Sequence, residues 1–365
     1  MGRDYDDPAW DDLLDQLTVD EMVDIISADF HYTWPSETIG LIGTRDENGP
    51  SGLSMQLFGQ DVSTETMVLP SEEIMAATWN TELINEVGVV LGEDCVASGV
   101  TYLYGPGGNI HRTAYGGRNF EYFSEDGFLS GQMLLAEVSG VEETGTHCMV
   151  KHFVMNDQET NRDGVSTFAN EQSIREIYLK SFQYALEENE LAGAMTAYNR
   201  IGCHWCGSNE GLLAEVLRTE WGCNGVVTSD NTSFTYYYMS GVDGILATTD
   251  IFDAMLYNQH DQIMEYEDDP VVVSALRECV HRLCYATLNS TAMNGIGEDT
   301  VISEHNAWFI TALQVAIAVT VVCAVVFIAF AVRNSMRYRR ANPKPQRQQY
   351  EGRSGSAGGD ASDEM

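Results

Sequence analysis

The sequence predicts an α/β chain: a (β/α)8 TIM-like barrel, whole or imperfect, followed by a single transmembrane helix. Three observations carry this. Short apolar runs alternate with amphipathic stretches at roughly 30–45-residue spacing, the rhythm of parallel βα units. A polar residue follows nearly every apolar run, as expected where strand ends converge on the mouth of a barrel. Residues 307–332 carry no charge across 26 positions. The chain has 365 residues, 44% of them hydrophobic, enough for one large domain with its own core and an appendage. The domain reading is a barrel over 1–300, a transmembrane helix over 307–332 and a tail over 333–365, basic and then rich in Gly, Ser and acids.

The elements follow in order. Residues 6–26 place Leu13, Leu14, Leu17, Met22, Ile25 and Ile26 at helical spacing, with a break at Thr18 and Glu21 three positions on, the signature of a capping box. "IGLIG" (39–43) reads as the first strand, ending before a Gly/Pro-rich loop that holds Asn48. A helix follows, with Leu83, Val87, Val90 and Leu91 on its apolar face. "VTYLYGPGGN" reads as a strand entering a loop, and "HCMVKHF" (147–153) as the next strand. Asn170 caps a helix that carries Ile174, Ile177, Tyr178 and Ala185 on one face. "LAGAMTAYN" (191–199) reads as a strand, and the helix after it closes at Gly222. "GVVTSD" (225–230) and "GVDGILAT" (241–248) read as further strands, and Pro270 opens the last helix of the body. Residues 231–265 are too irregular for the final strands to be placed.

Asp230 ends an apolar run, "GVVTS". Such a residue can cap a helix, or it can be a carboxylate set at the mouth of a barrel. The run alone leaves both open. The Lys151–His152 pair is harder to explain as surface charge, because it interrupts an apolar strand. A mouth lined by Arg, Lys, His, Tyr and Asp suits a neutral, hydroxyl-rich molecule, since charged groups bond hydroxyls well. Cations beside Asp230 are expected to hold its pKa low and keep it ionised, as a nucleophile toward an anomeric carbon must be.

Charge narrows the partners. Of 19 basic residues seven follow residue 332, and of 55 acidic residues four do, which leaves the body 12 against 51, near −39. A body so acidic repels DNA, RNA and anionic lipid, so no nucleic-acid partner is expected. The eight cysteines show no disulfide framework. "CHWC" (203–206) has no second pair to complete a zinc site, and neither metal nor cofactor is called for. The uncharged run spans a hydrocarbon core, and the basic residues after it put the tail in the cytoplasm and the body outside the cell membrane. The N-terminus lacks the features of a signal peptide.

Five long motifs in order resemble one family. "NGPSGL" (48–53), "GPGGNIHRTAYGGRNFEYFSED" (105–126), "KHFVMNDQETNR" (151–162), "MTAYNRIG" (195–202) and "VVTSD" (226–230) are similar to the barrel domain of family-3 glycoside hydrolases, the β-glucosidase family. The resemblance covers roughly residues 10–295. It implies a retaining β-glycosidase acting on terminal non-reducing β-linked sugars, with Asp230 as nucleophile. It implies that Asn48, Arg118, Lys151, His152 and Tyr198 hold sugar hydroxyls, and that Arg162, paired with Glu159, supports them. Arg112 and Glu121 take either a binding or a structural role.

Two departures stand out. The family has Asp where this chain has Asn48, which leaves Glu47 or Asp46 to compensate. The family's general acid comes from an α/β sandwich domain or from a His on the loop after "KHF", and that loop has no His here. The acid/base is therefore expected on a separate sandwich domain. A membrane helix directly after the barrel is similar to relatives whose sandwich precedes the barrel, so a truncated or split gene product is expected. The alternative is an inactive or sugar-binding membrane-tethered remnant of the same fold.

Overall fold

A computed structural model describes residues 4–27, 29–54, 66–233, 237–256, 258–293 and 308–342. The chain forms two compact units, Met1–Glu298 and Asp299–Met365. In the first, strands β1 (Tyr32–Thr33), β2 (Thr44–Asn48), β3 (Tyr102–Tyr104), β4 (His147–Phe153), β6 (Gly193–Thr196) and β9 (Val227–Ser229) form one sheet in that order. β1 pairs antiparallel with β2, and every later pairing is parallel. A small separate sheet joins β5 (Ser166–Thr167), β7 (Arg200–Ile201) and β8 (His204–Trp205).

Side-chain alternation along these strands sets the two faces. Leu103, Cys148, Val150 and Ala194 join an apolar cluster with Leu91 and Cys95 of α4 (Thr81–Ser98), Val138 of α5 (Gly127–Glu142) and Phe182 of α7 (Lys180–Glu188). Tyr102, Tyr104, Met149 and Met195 point the other way. They join Ile26 of α2 (Val19–Ile26) and Leu276 of α10 (Pro270–Leu288). Lys151, two residues beyond Met149, therefore falls on the inner face.

A (β/α)8 barrel, whole or imperfect, was the expectation, and among the described residues the ladder is open. Past β9, pairing among the described residues shrinks to a single parallel bridge, Thr228 to Ile251. Irregular backbone spans the gap: Phe252 N–H donates to Ile26 O at 2.9 Å, Asp29 N–H to Phe252 O at 3.0 Å and Asp46 N–H to His31 O at 3.2 Å.

The first strand of the parallel ladder is "TRDEN" (β2), not "IGLIG". Its buried Asp46 and Glu47 find polar partners in Thr44, Arg45 and His31, so a charged strand can sit inside. "GVDGILAT" is not a strand either. Gly241–Leu246 is a helix whose Ser240 cap accepts from Asp243 N–H. The expected caps at Thr18 and Asn170 are present, and Pro270 opens its helix as expected, with Asp269 as the cap. α4 buries Ile84, Gly88, Leu91, Gly92 and Cys95 while Leu83 is exposed. The packed face is thus turned by one residue from the expected one, because glycines let the neighbouring helix come close. Ile177 is likewise exposed, where a π-helical stretch (Ile174–Tyr178) rotates the helix.

In the second unit, Trp308–Ala341 is one helix of 34 residues, about 50 Å long. Among the described residues it is the one helix long and apolar enough to cross a bilayer. It continues through Arg333, Arg337, Arg339 and Arg340, so the start of the expected disordered tail is helical. Residues 343–365 of that tail lie outside the described residues.

Candidate active site

The parallel strands deliver their carboxyl ends to one cavity of about 360 Å³. Asn48 is the last residue of β2, Lys151 and His152 lie near the end of β4, Tyr198 follows β6 and Asp230 follows β9. Arg118 and Arg162 come from the loops after β3 and β4. All seven line this cavity, together with Phe30, His31, Tyr104, Met195, Asn231, Asp253 and Met255.

Strand alternation alone would send Lys151 and His152 to opposite faces. The register of β4 against β6 shifts between Lys151 and Phe153, and the Lys151–His152 and Phe153–Val154 peptides are cis. Both side chains are buried and reach the cavity. The loop after β3 folds tightly at Gly107, where a Cβ would lie 1.9 Å from Glu121 O. This close approach sets Glu121 beside the cavity. It accepts from Arg118 Nε at 2.9 Å and Nη2 at 2.7 Å and stands 3.9 Å from Lys151 Nζ.

Asp230 Oδ1 accepts the Asn231 N–H at 2.8 Å. Its Oδ2 is buried and has no hydrogen-bond partner among the described residues. His152 Nε2 is 3.7 Å away. His152 Nδ1 lies 3.1 Å from the Tyr122 hydroxyl, whose oxygen accepts from Asn156 Nδ2 at 3.3 Å. We therefore assign the Tyr122 O–H as donor to Nδ1, which leaves the Nε2 proton facing Asp230. Burial, and then Arg118, Lys151 and Arg162, push the His152 pKa well below its ordinary value, so the ring is neutral.

Asp230 departs from expectation. Its carboxyl is raised, not held low, because burial outweighs Arg118, Arg162, the Asn231 N–H and Lys151. Burial also pulls Lys151 down to about 8 against the opposing charge of Glu121. Lys151 Nζ donates to Asn48 Oδ1 at 2.7 Å, which ties up the asparagine carbonyl. Arg162 donates to Glu159 at 2.9 Å and stacks over the Tyr198 ring at 4.6 Å. Arg112 turns away to the Tyr178 hydroxyl. Neither Glu47 nor Asp46 lines the cavity. Glu47 pairs with Arg45 at 2.9 Å, and Asp46 is fully buried with its carboxyl pushed up to about 8 by desolvation.

Sequence reasoning missed His31, Asn231 and Asp253. Asn231 adjoins Asp230 and was within reach. His31 and Asp253 lie on the irregular backbone that spans the open ladder, where no periodicity marks a strand. The cysteines of "CHWC" are free, and among the described residues no group of three or more ligating side chains is arranged for a metal.

A model of the "Glycosyl hydrolase family 3 N terminal domain" matches residues 52–281. "Thermostable beta-glucosidase B" of Acetivibrio thermocellus is 38% identical over 224 residues, 60% of this chain and 30% of that one. A "Beta-glucosidase" of Ruminococcus albus is 36% identical over 262 residues, 71% of this chain and 26% of that one. The solved beta-glucosidase 3B from Thermotoga neapolitana in complex with alpha-D-glucose superposes with a TM-score of 0.72 at 33% identity, covering 78% of this chain and 43% of that chain. The chain thus spans less than half the length of these relatives.

Proposed function

The chain belongs to glycosyl hydrolase family 3, and on that premise we propose that its first unit is the nucleophile-bearing half of a retaining β-glycosidase that takes terminal β-linked glucose-like sugars. The observation that carries this is Asp230 Oδ2. It is a carboxylate oxygen without a hydrogen-bond partner among the described residues, in a cavity also lined by Arg118, Lys151 and Arg162. Oδ2 attacks the anomeric carbon and the bond to the aglycone oxygen breaks, giving a glycosyl ester that water then hydrolyses. Arg118, Lys151, His152, Arg162, Tyr198 and Asn48 hold the hydroxyls. The cations offset part of the desolvation of Asp230 and favour its ionised form.

The departing oxygen needs a proton. The other cavity carboxyl, Asp253, is buried and held by His31 and Asn231. We assign the acid/base to a separate α/β sandwich domain, and we assign α11 (Trp308–Ala341) as an anchor in the cell membrane with its arginine end cytoplasmic. A sugar-holding protein without turnover is the second reading. It is favoured by the lack, among the described lining residues, of a carboxyl exposed toward the departing group.

An aryl β-glucoside with an activated leaving group needs little acid help, and its fluorinated analogue traps the ester. The wild-type chain should be labelled on Asp230, and Asp230→Asn should lose labelling and about a thousandfold or more of turnover. Turnover that survives the substitution removes Asp230 from the chemistry. Sugar binding without labelling establishes the second reading.

A further inference from the structure

We propose that Asp253 is the specificity-determining acceptor of the cavity, the group that takes the hydrogen bond offered by a sugar hydroxyl remote from the anomeric carbon. This rests on the glycosidase reading above and deepens it.

The argument is one of donor–acceptor matching. A sugar hydroxyl donates one hydrogen bond and accepts others. The cavity wall built from β3, β4 and their loops offers donors: Arg118, Lys151, Arg162 and the Nε2–H assigned to His152. The carboxylate beside them, Glu121, is taken up by Arg118, and Asn48 Oδ1, at the end of β2, already takes the Lys151 ammonium at 2.7 Å. Acceptors must come from the opposite side. Asp230 Oδ2 is committed to the anomeric carbon, which leaves Asp253 as the other carboxyl among the described lining residues.

Its placement is fixed by four hydrogen bonds. Asp253 N–H donates to Ser229 Oγ at 3.0 Å, and its carbonyl accepts from Thr232 N–H at 2.9 Å. His31 N–H donates to Oδ1 at 3.2 Å, and Asn231 Nδ2 donates to Oδ2 at 3.3 Å. An ionised carboxylate has about four lone-pair sites, so acceptor capacity remains after both bonds. The residue is only 4% exposed, at the spot where the open ladder is spanned by irregular backbone. A sugar entering with its aglycone toward the mouth meets such a buried group with its far hydroxyls. Burial and the charge of Asp230 place its carboxyl near 7, so it is substantially ionised at neutral pH and above.

The test measures glucose and its monodeoxy derivatives binding to the full chain in detergent by titration calorimetry, for wild type, Asp253→Ala and Asp253→Asn. A lost hydrogen bond to a charged group corresponds to about 10- to 100-fold in affinity. Asp253→Ala should weaken glucose by that factor. It should leave one monodeoxy derivative, the one lacking the paired hydroxyl, bound as by wild type, and Asp253→Asn should fall between. Equal weakening of every derivative, or none, overturns the proposal. Labelling of Asp230 by the fluorinated glucoside reports separately on fold and chemistry. If labelling fails in the wild type while the hydroxyl-selective loss stands, the glycosidase reading has failed and the assignment of Asp253 has not. If labelling persists in Asp253→Ala without hydroxyl selectivity, the reverse holds.

Discussion

Glu137→Gln should stabilise the folded chain at neutral pH and leave it unchanged in acid. Glu137, on α5, is fully buried, and neither carboxyl oxygen has a hydrogen-bond partner among the described residues. Glu72, of helix Glu72–Ala76, faces it. Glu72 Oε1 accepts from Gly107 N–H at 2.9 Å, and its Oε2 is unpartnered among the same residues. Burial pushes Glu137 up to about 8, and burial with the Glu137 charge raises Glu72 well above the ordinary range. Below the unfolded chain's carboxyl range both states hold the proton and nothing is lost. Above it the unfolded chain releases the proton and the folded chain keeps it, so stability falls as pH rises until the folded carboxyl ionises near 8. At about 1.4 kcal/mol per pH unit, a carboxyl ordinarily near 4.5 costs roughly 3 kcal/mol by pH 7. An amide of the same shape removes that cost and forfeits no hydrogen bond, so a gain of about 1–3 kcal/mol is expected at pH 7 and none near pH 4. The assay is urea denaturation of the full chain in detergent, followed by tryptophan fluorescence across that pH range. A loss of stability of equal size at both ends would refute the shared burial of these carboxyls. The slope should not vanish, because Asp46, raised to about 8, and Asp157, raised to about 7, act with the same sign.

Other outcomes follow from the geometry. Turnover of an activated β-glucoside should decline above about pH 8, where Lys151 loses its charge; Lys151→Met should lower activity and erase that alkaline limb in a pH–rate profile. Gly193→Ala should prevent folding, seen as loss of soluble chain and of its far-ultraviolet dichroism, because a Cβ there lies 1.8 Å from Val226 O, just before the paired strand β9, and backbone cannot yield that distance. The full chain should stay with lipid vesicles through an alkaline carbonate wash. Release into the supernatant would remove α11 as a spanning segment.

The legible parts of this chain are those where an apolar strand ends abruptly in a functional residue. "GVVTSD", "HCMVKHF" and "LAGAMTAYN" each present a polar group at the carboxyl end of a run of Val, Met and Ala, so Asp230, Lys151, His152 and Tyr198 could be named from letters alone. The site became unreadable where pairing is irregular or the strand itself is charged. Asp253 follows a single bridge at Ile251, and no alternation marks it. β2 carries Asp46 and Glu47 inward, which hides it from any apolar search. "GVDGILAT" has the composition of a buried strand, and only the Ser240 cap, a contact between neighbours, decides for helix. The α4 face was missed because Gly88 and Gly92, which carry no apolar side chain, are its contact residues.

The cavity's electrostatics also resolve a tension in the sequence. The body is strongly acidic, yet three of its 12 basic residues line one cavity. They do not act as three free charges. Arg118 forms a two-point bond to Glu121, which also stands 3.9 Å from Lys151, so these three groups together carry a net single positive charge. Arg162 is likewise offset by Glu159 at 2.9 Å. Paired cations shift a neighbouring carboxylate less than bare ones, and this is why burial wins at Asp230 and its carboxyl is raised rather than held low. The same pairing makes Arg118 the most consequential of the cations. Removing it takes away that single positive charge and leaves Glu121 and Lys151 to offset each other, so this cluster no longer opposes the proton on Asp230. The proton would then stay on Asp230 to higher pH, and its attacking form would thin out at neutral pH even with the strand that carries it intact.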